Sequence, residues 1–341
     1  MKTWKLLGSM ALVATAWMGL AMPATAQDED KKIGIWQKDV ELGVNILQSS
    51  YSQNWNGGDK GSVVWNGTLD ARFQKQYGDS HNWRNILKLA YGQTHEQVRD
   101  ENGNLYWQRP DKTDDLIDFE SLFRWTPESG WDPFVALAFK SMFEDKNDPQ
   151  GRTINFNPLT LRGSAGVARA FINEEKQKFG ARLGVAAIRN RRAFFLEDSP
   201  STDTQSESSN ELAVELVAEY FVGALDERVD WESKLTLTQP FSYSGKSAFE
   251  DGFVSDDPVP DDIASYTTTL DIDWENTFTA NITKVISVKL YIRWVYDKYD
   301  NTVAPVVEEG ILVNETDVHG AIRKAGQFKQ TLALGLGYTW N

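Results

Sequence analysis

The chain has no cysteine among its 341 residues. Disulfides, thiol nucleophiles and thiolate metal sites are thereby excluded. Histidine is scarce too, with three in all: His81, His95 and His319. None lies on an alternating segment beside a serine with an acid in phase, so a Ser–His hydrolase constellation cannot be assembled. A nucleophile and base within hydrogen-bond reach is the minimum for covalent catalysis, and no enzyme is expected. Beyond the first two dozen residues no apolar run reaches the ~18 needed for a membrane-crossing helix. Basic charge is in short supply, with 35 Lys and Arg against 49 Asp and Glu and a net charge of −14, which argues against nucleic acid as a partner.

What is present begins at the ends. Lys2 and Lys5 precede an apolar stretch over residues 6–22, and Ala24-Thr25-Ala26 offers small residues for cleavage before Gln27-Asp28-Glu29-Asp30. This is the pattern of a secretory signal peptide over residues 1–26. Its loss would remove two lysines and no acid, leaving 33 basic and 49 acidic residues and a net charge of −16. With no cysteine at the cleavage site, a lipoprotein is excluded. At the other end Phe328, Leu332, Leu334, Leu336, Tyr338 and Trp340 alternate with Lys329, Thr331, Ala333, Gly335, Gly337 and Thr339. A period of two puts one face against an apolar phase. Ending on Gly335, Tyr338 and Trp340, one residue before the terminus, resembles the insertion signal of bacterial outer-membrane barrels. That resemblance implies outer-membrane lipid, barrel-assembly machinery and periplasmic chaperones as partners.

Alternation predicts twelve strands, over residues 41–51, 62–77, 82–94, 113–125, 131–143, 160–171, 178–189, 210–222, 228–239, 264–282, 285–297 and 327–340. Short connections alternate with long ones, the longest at 190–209, 240–263 and 298–326. A barrel with short periplasmic turns, long extracellular loops and both termini in the periplasm has this phasing. The mean hydropathy of −0.46 is compatible with it, because alternating strands dilute the apolar signal. The fold class is therefore all-β: a single antiparallel transmembrane barrel over residues 41–341, with residues 27–40 as a periplasmic leader. The hairpin 264–297, turning at Thr283-Lys284, sets Glu275 opposite Arg293 and Trp274 opposite Trp294. The segment 198–210, rich in Ser, Thr, Asp and Glu, reads as a mobile outer loop.

Aromatic residues cluster at strand ends. Phe73, Trp83, Phe123, Trp125, Trp131, Phe171, Phe179, Tyr220, Trp231, Phe278, Tyr338 and Trp340 lie towards the short turns. Trp65, Tyr91, Phe143, Tyr266, Trp294, Tyr296 and Phe328 lie towards the long loops. Two such girdles mark the two interfaces of a membrane barrel.

Three segments are similar to an uncharacterised family of bacterial outer-membrane barrels, a domain of unknown function. They are Asn45-Ile46-Leu47-Gln48 followed by Asn54-Trp55-Asn56-Gly57-Gly58, like the family's Asn-x-x-Gln…Asn-Trp-x-x-Gly-Gly; Trp83 to Gly92, with Trp-x-Asn-x-Leu-x-Leu-x-Tyr-Gly; and Lys112 to Ser121, with Lys-x-Asp-Asp. Gln48 and Trp55 stand one residue further apart than in the family's pattern. The resemblance implies the fold and no mechanism.

The phase opposite the apolar face predicts the lumen. Its charged members include Asp70, Arg72, Arg84, Lys88, Asp118, Glu120, Arg124, Lys140, Arg162 and Arg182, then Glu211, Glu215, Glu219, Asp230, Glu232, Lys234, Asp271, Asp273, Glu275, Lys289 and Arg293. Opposed acidic and basic walls suit a selective pore, whereas charges that pair across the interior would plug it. Clustered acids at Asp256-Asp257, Asp261-Asp262, Asp297, Asp300 and Glu308-Glu309 read as solvated loop charge, with no metal and no cofactor implied. Gly57-Gly58 lacks the Lys-Ser/Thr partner and the following helix of a phosphate loop. Two functions remain: a narrow channel for small polar or charged solutes, or a closed scaffold whose long loops bind an envelope partner or ligand.

Overall fold

The computed structural model describes residues 33–49, 61–127, 129–146, 148, 150–195, 203–224, 228–283 and 286–340, with backbone alone from 333 to 340. The signal segment, Asn54–Gly58 and Lys284 lie outside these residues, as does 198–202 of the expected outer loop. Twelve of the strands have ten or more residues: β1 (Trp36–Ser49), β2 (Ser62–Tyr77), β3 (His81–Arg99), β4 (Asp111–Trp125), β5 (Asp132–Ser141), β6 (Leu159–Asn173), β7 (Gln177–Phe195), β8 (Thr204–Ala224), β9 (Val229–Tyr243), β10 (Asp271–Asn281), β11 (Ile286–Tyr296) and β12 (Gln327–Trp340). Each pairs antiparallel with its chain neighbours, and β1 also pairs with β12 in the register Val40↔Trp340 to Val44↔Leu336.

The period of two sorts side chains as the alternation predicts. On β5, Val135 and Leu137 are 56% and 55% exposed while the intervening Ala136 turns inward. Leu183 and Val185 on β7 and Leu212 and Val214 on β8 continue the exposed apolar face. Along the short-turn ends an unbroken file of rings runs from Phe171 to Phe179, Tyr220, Trp231 and Phe278, with neighbouring centroids 5.1–6.4 Å apart. Where β6 meets β7, Gly166 lies opposite Gly184. A Cβ on Gly166 would fall onto the Leu183 carbonyl oxygen, and one on Gly184 onto that of Ala165, so the close backbone approach requires glycine at both.

Three expectations are corrected. β1 begins at Trp36, so residues 36–40 belong to the sheet and not to a leader. β7 and β8 run on to Phe195 and back from Thr204, so residues 204–210 are ladder-bonded strand and not loop. Residues 264–266 are not strand: α2 (Ile263–Tyr266) stands there, and β10 starts at Asp271.

The cause of the last difference is a small core built from the two longest connections. Residues 244–270 carry α1 (Lys246–Asp251) and α2, and residues 297–326 carry α3 (Glu315–Ala321). Phe249, Ile263, Tyr299, Val303, Leu312, Val318 and Ala321 bury one another with Tyr243 at the end of β9. Tyr243 and Tyr299 both donate to the Val303 carbonyl at 2.8 Å. Burying these side chains outweighs the strand preference of 264–270, since each large apolar group contributes about 1.5–3 kcal/mol. Tyr266 accordingly packs against this core and is not a girdle residue. The long β7–β8 hairpin holds the unit: Arg192 pairs with Asp317 at 3.1 Å, and Asn314 donates to Glu207 at 2.7 Å.

Candidate functional site

The charged face of the sheet is concave. Arg84 on β3 reaches Glu219 on β8 through two bonds of 3.0 and 3.1 Å, although those strands share no ladder. The same guanidinium donates to Glu120 on β4 at 3.4 Å, and Glu120 is gripped in turn by Arg182 on β7. All four lie towards the short-turn ends of their strands. Glu219, Arg84, Glu120 and Arg182 thus form one alternating chain of charge across the concavity, with the forked geometry that makes Arg–carboxylate pairs strong.

Other bonds also join strands that are not neighbours. Arg162 on β6 pairs with Glu215 on β8, and Lys289 on β11 with Glu41 on β1. Asp114 on β4 accepts from Lys329 on β12 at 2.9 Å and from Asn66 on β2 at 2.7 Å. Register supplies the remaining order: Asp70, Lys88, Asp118 and Lys140 stand in one row across β2 to β5. Glu219, Lys234, Glu275 and Arg293 stand in another across β8 to β11.

A cavity of about 550 Å³ lies against this face. It extends from Glu120 and Arg182 to Tyr299 and Asn301 of the 297–326 connection. At that upper edge Asn301 donates to Glu211 at 2.8 Å and to the Thr267 carbonyl at 2.9 Å. Its own carbonyl accepts from Ser209 at 2.7 Å. Burial, reinforced by Asp300, pushes the Asp297 carboxyl above the usual range, while Arg323 pairs with both acids.

Residues 46–146 match a family model described as a protein of unknown function, DUF3078. That stretch contains β2, β3, β4 and β5, and with them Arg84, Lys88, Asp118 and Glu120. The three sequence segments that carry the family resemblance fall on it, Asn45 apart. Among curated proteins none matches. Solved structures similar at low identity include three outer-membrane proteins. An outer membrane channel from Pseudomonas putida F1 is 11% identical with a TM-score of 0.39, over 92% of this chain and 99% of that one. The beta domain of the Bordetella autotransporter BrkA is 7% identical with a TM-score of 0.31, over 89% and 98%. OprB of Pseudomonas putida is 6% identical with a TM-score of 0.24, over 89% and 92%.

The structure brings together most of the residues singled out from the pattern. Arg84, Glu120, Arg182 and Glu219 meet in one network, while Asp118, Glu215, Asp271, Asp273, Glu275 and Arg293 line the cavity. Asp70, Lys88 and Lys289 sit on the same face outside the cavity lining. Arg72 and Glu232 are exposed, and Asp230 accepts from Asn281 at 3.4 Å near the short turns. Glu275 and Arg293 do lie opposite one another, but the Arg293 guanidinium turns to Asp273, with bonds of 2.8 and 2.6 Å. Glu275 accepts from Tyr291 instead, at 3.1 Å. The long arginine stem reaches the diagonal acid in a forked geometry that the directly opposed position does not offer. Asn301 and Asn314 carry no sequence signal, because a lone asparagine in a loop has no period. Gly335, Tyr338 and Trp340 lie on β12, whose backbone pairs with β1.

Proposed function

We propose that this chain is an integral protein of a bacterial outer membrane, exported by cleavage of residues 1–26 and inserted through the C-terminal signal. In this reading the β1–β12 pairing closes the sheet into a twelve-stranded barrel, and the lumen is a narrow path for small polar or charged solutes. Closure leaves no open edge, the condition a sheet must meet in hydrocarbon. The outward apolar face and the file of rings at the short-turn ends support the same reading.

The observation that carries the function is the Glu219–Arg84–Glu120–Arg182 chain. Barrels of about eight strands are filled by side chains, and those of about sixteen hold open water. At twelve, four paired side chains suffice to shut the path, and separating them would open it. The resting barrel therefore passes ions rarely. In a planar bilayer, the refolded protein should give brief, small openings, and Arg84→Ala combined with Glu219→Gln should give larger and longer ones. Silence from both proteins, correctly folded, would refute a path through the lumen.

The second reading, a closed scaffold with a binding surface on its outer loops, is favoured by the folded core of Phe249, Tyr299 and Val318. Loops with no task seldom build one. Trimming 244–270 and 297–326 with no effect on envelope fitness would remove that reading.

A further inference from the structure

Most charges lining the cavity pair off. Arg182 meets Glu120, Arg162 meets Glu215 and Arg293 meets Asp273 as ion pairs. Lys140 stands opposite Asp118 in register and Lys234 opposite Glu275, while Asp115 takes Lys112. Four acids remain, Glu211, Asp271, Asp297 and Asp300, with Arg323 the one remaining base of the lining. Asp271 is within electrostatic reach of the other three acids, and Arg162, which also reaches it, is already paired. The surplus of negative charge therefore sits at one end, against the 297–326 connection.

Asn301, 8% exposed, lines the same end. Its amide N–H groups donate to Glu211 and to the Thr267 carbonyl, which fixes the orientation of the amide. Its Oδ1 is left with no hydrogen-bond partner among the described residues. A bare oxygen beside surplus carboxylates favours a cation and repels an anion. Among the described residues no three acids converge as the ligands of one metal ion do. Acids spread along a wall fit instead a solute whose ammonium groups are separated by a carbon chain. The cavity volume of about 550 Å³ is that of a small-molecule site, and Ala138 and Val217 give it apolar surface.

We propose that the loop end of the cavity binds a small organic cation with separated ammonium groups, a diamine. Glu211, Asp271, Asp297 and Asp300 supply the charge, and Asn301 a neutral acceptor. The inference deepens the reading of the lumen as a path for charged solutes and rests on it, because the solute must enter from one side.

The test is titration calorimetry on the purified full-length protein in nonionic detergent at low salt, with 1,4-diaminobutane, calcium chloride and sodium sulfate as probes. Diaminobutane should bind saturably and sulfate not at all. Asp271→Asn and Glu211→Gln should each weaken diaminobutane about tenfold or more, a loss of about 1.4 kcal/mol, while keeping the heat-modifiable migration of a folded barrel. Glu232→Gln, at an exposed acid outside the cavity lining, should leave the affinity as it is. No saturable heat from diaminobutane, equal binding of sulfate, or unchanged affinity in both cavity variants would overturn the proposal. Calcium bound in place of diaminobutane would make the site a metal centre and overturn it equally. Diaminobutane binding by a protein that stays silent in bilayers would refute the transmembrane path and leave the site standing. Conductance without binding would do the reverse.

Discussion

At the scale of single residues, Arg84 is the hub that joins two carboxylates, Glu120 and Glu219. Removing it leaves Glu219 without its ion pair, whereas Glu120 keeps Arg182. Removing Glu219 leaves Arg84 still held by Glu120. Arg84→Ala should therefore destabilise the protein more than Glu219→Gln, by roughly 1–2 kcal/mol after allowance for the part-exposed Glu219. Urea unfolding in detergent would measure the difference, and equal midpoints would contradict the network. Glu315 offers a pH-dependent counterpart. Its carboxylate accepts the Asp257 backbone N–H at 2.7 Å, which holds it below the usual carboxylate range. A lowered folded value means the contact stabilises at neutral pH and is lost as the pH falls through that value. Exchange of the Asp257 amide, corrected for its intrinsic rate, should accelerate in acid, and Glu315→Ala should remove the pH dependence. Phase alone marks which charged residues share a face with Arg84 and Glu120. It does not show which acid each base chooses, because a two-residue diagonal is within reach of an arginine and invisible to a period of two.

At the scale of elements, the β6–β7 ladder depends on small residues. Gly166 and Gly184 face each other so closely that even a methyl group meets backbone. Gly166→Val should cost about 1–3 kcal/mol, the usual range for overpacking. Gly163, where a Cβ meets nothing within 4 Å, is the internal control and should tolerate alanine. Thermal unfolding of both variants compares them directly. The pattern located the long strands, since each has its own alternation, but not their ends: β1 starts earlier than its alternation shows, and β7 and β8 run on to Phe195 and back from Thr204. It failed at 264–270, where Tyr266, Thr268 and Leu270 mimic the alternation of the strand that follows. There the partners that decide the outcome, Tyr299 and Val318, lie far along the chain.

At the scale of the whole molecule, the absence of cysteine is useful: any introduced thiol is the sole reporter. Val135→Cys and Ala136→Cys sit one residue apart on opposite faces of β5. In lipid vesicles, Val135→Cys should resist a water-soluble maleimide and react with a lipid-phase one. Ala136→Cys should show the opposite preference, modest in rate because the cavity is confined. Equal labelling of both by the water-soluble reagent would contradict a lipid-facing exterior.

The order of the strands and the faces they present were written in the sequence, because each depends on residues two apart along one segment. The charge of the inner face followed from the same period. Its pairing did not: Arg84 meets Glu219 across more than a hundred residues of chain, and only the curl of the sheet brings them together. The loop core is likewise a product of tertiary structure, since its members have no common period and gain stability only by burying one another. Pattern is local, whereas pairing and packing depend on where distant segments finish in space.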